Sequence, residues 1–181
     1  MRNYILIFFL LTTVFSFGQG EGQDFCDGDK DASYFPLNIE KKKIFWYNTY
    51  YFEEKLSTKD INGKTYREYK QTWKDGSVDI LYLRENNNMV FQFEEGFKDE
   101  TIRFDPQFKI DYSWEKMDET AIYTIKSYEG RLNTPYCKYE NLLIIEAKYK
   151  TVTFNFYYLK GLGYIGATKN DKLISYITPE M

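Results

Sequence analysis

Histidine is absent from this chain. Without an imidazole there is no Ser-His-Asp triad, no Cys-His dyad and no imidazole-built zinc site. The side chain that most readily moves protons near neutral pH is missing as well. Cysteine is nearly as scarce. Cys26 and Cys137 are the only two, too few for a Cys-only zinc site. Proline occurs four times, and no stretch sustains the 3.6-residue periodicity of an amphipathic helix. Gln107–Lys116 offers room for a short helix, and the chain as a whole for one or two at most. Nor does charge of one sign accumulate. There are 24 basic and 27 acidic residues, a net −3, and that mild acidity argues against a polyanionic partner such as nucleic acid. The one basic run, Lys41-Lys42-Lys43, reads as a solvated entry to a strand.

Long apolar runs are also missing, with one exception at the start. Arg2 opens a segment that continues through the apolar run Ile5–Leu11 and closes on Ser16-Phe17-Gly18. A positive start, an apolar middle and a small-x-small exit make a secretion signal over residues 1–18. Cleavage after Gly18 leaves Gln19 as the new N-terminus, and the loss of Arg2 moves the net charge from −3 to −4. The apolar run falls short of the ~20 residues a helix needs to span a bilayer. Cys26 follows Gln23-Asp24-Phe25 in polar sequence, which argues against a lipid-anchored cysteine. The expected address is the periplasm or the outside of the cell, with no membrane span after the signal. Export permits a Cys26–Cys137 disulfide and does not require one. Two unrelated thiols remain the alternative.

What the chain does hold is aromatic side chains, at 20% of its residues. Aromatic and β-branched residues suit pleated, half-buried surfaces. After a flexible leader over 19–33, residues 34–181 read as one β-rich domain. Strand patterns recur at Ile44–Glu53, Tyr66–Lys74, Val78–Arg84, Met89–Glu94, Glu100–Asp105, Thr120–Ser127, Asn141–Lys150, Val152–Lys160 and Lys172–Thr178. Asn62-Gly63, Asp75-Gly76 and Asn86-Asn87-Asn88 punctuate them as turns. The expectation is a mainly β fold: a curled antiparallel sheet of about nine or ten strands, forming an open or half-closed barrel.

Few motifs carry chemistry. Gly161-Leu162-Gly163-Tyr164-Ile165-Gly166 matches the dinucleotide fingerprint letter for letter. The helix and second parallel strand that the fingerprint needs do not follow, so Gly161, Gly163 and Gly166 read as a glycine-relieved bend. Asp27-Gly28-Asp29-Lys30-Asp31 begins like a calcium loop. It then places Ala32 and Asn38 where such a loop needs Gly and Glu, so no metal or cofactor is expected. The acid doublets Glu53-Glu54, Glu94-Glu95 and Asp99-Glu100 send neighbouring side chains to opposite faces of a strand. A hydrolase would need two carboxyls across one cleft. Trp46, Trp73 and Trp114 are the candidates to line a groove for an apolar or sugar ligand.

Several short motifs run through the chain in order: Phe35-Pro36-Leu37, the strand with Trp46, Ile102-Arg103-Phe104-Asp105, Thr134-Pro135-Tyr136 and Lys160-Gly161-Leu162-Gly163. This order resembles a group of exported bacterial β-rich proteins of unknown function, marked by FPLxxGxxW, TPxGxF and KGVG patterns. That group is distantly similar to half-barrel lipoprotein carriers that bind acyl chains. The resemblance implies an envelope domain and brings no catalytic residues. Cys137 departs from the group's usual Gly, and Lys41-Lys42 from a small residue. The favoured reading is a non-catalytic binding module for an apolar or envelope-derived ligand, or for a protein partner. The alternatives are a fully packed structural module and a carboxylate-dependent hydrolase.

Overall fold

The aromatic, alternating segments form twelve antiparallel strands in the computed structural model, which describes residues 25–179. The signal at 1–18, its Gly18–Gln19 boundary and the first part of the leader lie outside the described residues. The strands are β1 (Lys41–Trp46), β2 (Thr49–Ile61), β3 (Lys64–Trp73), β4 (Val78–Asn86), β5 (Met89–Phe93), β6 (Thr101–Phe104), β7 (Ser113–Glu115), β8 (Ala121–Asn133), β9 (Lys138–Tyr149), β10 (Thr153–Leu159), β11 (Gly163–Lys169) and β12 (Lys172–Thr178). They form one sheet in the order β6-β5-β4-β3-β2-β1-β12-β11-β10-β9-β8-β7.

Twelve strands replace the nine or ten expected, and no helix occurs among the described residues. Three local features account for the difference. Ile44–Glu53 is two strands, because Tyr47 takes φ 53° in a tight turn and its N–H donates to Ile174 O at 2.7 Å. Part of the expected helix at Gln107–Lys116 is the short strand β7, paired to β8 through Trp114 and Tyr123. The segment after Gly163 is β11 rather than a bend. Gly161 and Gly163 do turn, at φ 80° and 75°. Gly166 instead lies within β11, where a Cβ would sit 2.6 Å from the Ser175 carbonyl oxygen of β12. Only glycine lets those two backbones approach so closely.

The sheet does not close into a barrel. Its edge strands, β6 and β7, are linked by side chains instead of a backbone ladder. Trp114 Nε1 donates to Ile102 O at 2.8 Å, and the Met117 N–H donates to Thr101 Oγ1 at 3.1 Å. Lys116 Nζ lies 3.0 Å from Glu94 Oε2.

Two apolar clusters form the core. One gathers Val90, Phe104, Ile125, Ile145 and Tyr158 around Phe35. The other packs Ile44, Ile165 and Ile177 against Leu132, Tyr139 and Leu142. Register shifts along β8 and β9 bend that hairpin, as bulges do.

A disulfide joins Cys26 to Cys137, with Cα atoms 5.5 Å apart and a sequence separation of 111. Residues 25–33, read from sequence as the second half of a flexible leader, lie along β9 and β10. The Asp29 N–H donates to Lys160 O at 3.1 Å, Gly161 N–H to Ser33 O at 2.8 Å, and Tyr139 OH to Phe25 O at 3.3 Å.

Near the β6 edge sits an ionic cluster. Glu100, its side chain 7% exposed, accepts hydrogen bonds from Arg84 Nη2 at 2.7 Å, Lys64 Nζ at 2.6 Å and Tyr66 OH at 2.6 Å. Arg84 Nε also donates to it, making the contact bidentate. Burial alone would raise the Glu100 pKa. The Arg84, Lys64 and Tyr66 hydrogen bonds outweigh it and hold the carboxyl at about 2.

Candidate functional site

Strand alternation decides what faces the interior. On β1 the side chains of Lys42, Ile44 and Trp46 share one face, while Lys41, Lys43 and Phe45 take the other. Lys42 stands directly across from Glu53 of β2, and Glu53 across from Gln71 of β3. All three line a cavity of about 170 Å³. The opposite wall comes from Phe156 and Tyr158 of β10 and Tyr164 of β11, with Arg103 of β6 at one side.

The segment preceding β1 supplies part of the lining of this space. Phe35 stacks on Tyr158 with ring centroids 4.4 Å apart, and on Phe104 at 5.2 Å. Pro36 and Leu37 then continue along the cavity wall. The Phe-Pro-Leu motif therefore forms a strap along the cavity wall.

The polar groups inside are few. Gln71 Nε2 donates to Glu53 Oε2 at 2.8 Å. Burial pushes the Lys42 ammonium below its ordinary pKa, against the opposing pull of Glu53. Arg103 Nη2 reaches Tyr158 OH at 3.4 Å, a long and therefore weak contact. Burial works against the Arg103 charge, and the phenols of Tyr158, Tyr123 and Tyr149, with Glu94, more than offset it. Among the described residues neither cation has a carboxylate within ion-pair distance. Tyr69 OH is buried without a hydrogen-bond partner. Burial, then Glu53, pushes its pKa up to about 12. Tyr51 is raised for the same two reasons. The result is an aromatic chamber with two cations, one carboxylate and an idle phenol.

Of the three tryptophans singled out in the sequence, Trp46 lines this cavity. Trp73 packs on Tyr51 and donates from Nε1 to Asp79 Oδ2 at 2.8 Å. Trp114 joins the two sheet edges and packs on Phe108 and Tyr123. Neither belongs to the cavity wall. Lys42 corrects the reading of the basic run as solvated. Only Lys41 and Lys43 face outward, where Lys41 Nζ pairs with Glu54 Oε1 at 2.7 Å. Sequence reasoning takes Lys42 for a solvated charge, sets Glu53 aside as half of an acid doublet, notes Arg103 only within a motif, and does not single out Tyr69. The signal for Lys42 was there: it lies two residues before Ile44, on the same face of the strand.

A wider cleft of about 820 Å³ lies beside residues 26–30. Exposed Asp27, Asp29, Lys30, Lys138 and Glu140 line it with charges of both signs, a solvated surface rather than a chamber. Among the described residues no group of three or more acidic or Cys side chains is placed to hold a metal ion. No described helix is long and apolar enough to cross a membrane. Comparison with protein-family models, with curated proteins and with solved structures returned no match.

Proposed function

We propose that this protein is an exported, non-catalytic binding module whose interior chamber takes one small, partly apolar ligand. The observation that carries the reading is the 170 Å³ space behind the Phe35-Pro36-Leu37 strap, walled by Trp46, Tyr51, Phe156 and Tyr164. A dry cavity of ~150 Å³ is enough to hold benzene. The size therefore favours a compact ligand over a whole acyl chain. Export is supported by the leader pattern at 1–18 and by the Cys26–Cys137 disulfide, a bond that persists in oxidising compartments. Glu53 is the one acid lining the chamber, whereas glycoside hydrolysis uses two facing carboxyls. That weighs against the hydrolase alternative.

The test is a titration with a neutral aromatic probe, benzyl alcohol, followed by the fluorescence of Trp46 and by NMR. Saturable binding is expected. It should disappear in Leu83→Phe, which adds bulk to a side chain lining the same space. A flat titration, or binding untouched by Leu83→Phe, overturns the reading.

A further inference from the structure

We propose that the chamber's ligand is a monocarboxylate, its carboxylate held between Lys42 and Arg103 and its apolar body against the aromatic wall. This rests on the reading of the chamber as a ligand site and adds the charge of what fills it.

Three observations support it. First, Arg103 lines the chamber half-buried, and among the described residues its side chain makes only a long contact, to Tyr158 OH at 3.4 Å. A guanidinium has five N–H donors in a planar fork suited to a carboxylate. The phenols and Glu94 that offset the burial of its charge leave most of those donors without a close acceptor. Second, Tyr69 OH is a buried phenol with no partner, set in the same wall. Buried polar groups are nearly always satisfied, and a carboxylate would accept this donor. Third, the charges count toward a single negative ligand. Lys42 and Arg103 contribute two positive charges and Glu53 one negative, leaving one positive charge in the chamber. A phosphate dianion would exceed that and would face Glu53. Phe35, Leu81, Leu83 and Phe156 give the rest of the ligand an apolar lining, so a compact apolar body fits best.

Glu53 has a distinct part. Gln71 fixes one of its oxygens at 2.8 Å, and it stands across from Lys42 in the strand register. It works against the burial of the ammonium and repels a ligand carboxylate from its own side. The anion is thereby directed toward Arg103.

The experiment uses the full-length protein with its disulfide formed. Calorimetric titration compares benzoate with benzyl alcohol, a neutral probe of nearly the same shape, and with inorganic phosphate. Benzoate is expected to bind at least about tenfold more tightly than benzyl alcohol, since hydrogen bonds to charged groups are the stronger ones. Arg103→Met and Lys42→Met should each weaken benzoate about tenfold and leave benzyl alcohol unchanged, which also shows that the variants fold. Equal affinity for benzoate and benzyl alcohol overturns the anion inference while the chamber reading stands. Phosphate binding as tightly as benzoate overturns the carboxylate class. Failure of both aromatic probes overturns the chamber reading and this inference with it.

Discussion

Replacing Glu100 by Gln keeps the shape of the side chain and removes the charge that Arg84, Lys64 and Tyr66 share. The magnitude follows from the carboxyl's displacement from its ordinary 4.5 to about 2. Two and a half units correspond to ~3 kcal/mol at most. Lys64 is half exposed, so solvent screens its share and about 2–3 kcal/mol is expected at pH 7. The sign is fixed by the direction of the shift. The folded carboxyl is the stronger acid, so its contribution is complete above the unfolded value. It is lost as the pH falls from about 4.5 toward 2. Urea unfolding of wild type and Glu100→Gln at pH 7, 4, 3 and 2, read by tryptophan fluorescence, gives the difference at each pH. Other depressed carboxyls, such as Asp118, cancel in that difference. The gap should be widest at pH 7 and shrink to near zero at pH 2. A gap that does not change with pH would show that Glu100 contributes shape alone, and the reasoning would fail.

Two further outcomes follow from the fold. Converting both Cys26 and Cys137 to Ser should cost ~2–5 kcal/mol, because the bridge closes a loop of 111 residues. Melting temperatures with and without reductant check this, and an unchanged value in the double variant would refute it. Gly166→Ala should destabilise by ~1–3 kcal/mol, because its Cβ would meet the Ser175 carbonyl oxygen at 2.6 Å. Thermal unfolding reads the loss, and an Ala variant as stable as wild type would show that β11 and β12 can part freely.

The class of fold was legible because it rests on period-two alternation, which is strong in Val152–Lys160 and at Met89–Glu94. What stayed hidden depended on backbone geometry. Nothing in the letters of Ile44–Glu53 announces that Tyr47, a bulky residue, adopts φ 53° and splits one strand into two. β7 is three residues long, too short to display a period. Its place is set by Trp114 reaching Ile102 across the gap between sheet edges. The chamber was half legible. Trp46 and the Phe35-Pro36-Leu37 motif stood out by type. Arg103 and Glu53 looked like ordinary surface charges, because their enclosure comes from strands far away in sequence.

Ten of the eleven strand pairings join neighbours along the chain, and β1 with β12 is the exception. The molecule is thus two meanders, β1–β6 and β7–β12, whose one backbone seam sets Lys43 opposite Thr178, with side-chain links between β6 and β7 at the far edges. The chamber draws Lys42, Glu53, Tyr69 and Arg103 from the first meander and Phe156, Tyr158 and Tyr164 from the second. Neither meander holds it alone. The proposed ligand would be a rivet: its binding free energy would add to the joining of the halves. Before the seam forms, β1 and β12 are bare edges of the kind that invite pairing with another chain. Filling of the chamber by the proposed ligand would therefore also disfavour the open form that exposes those edges.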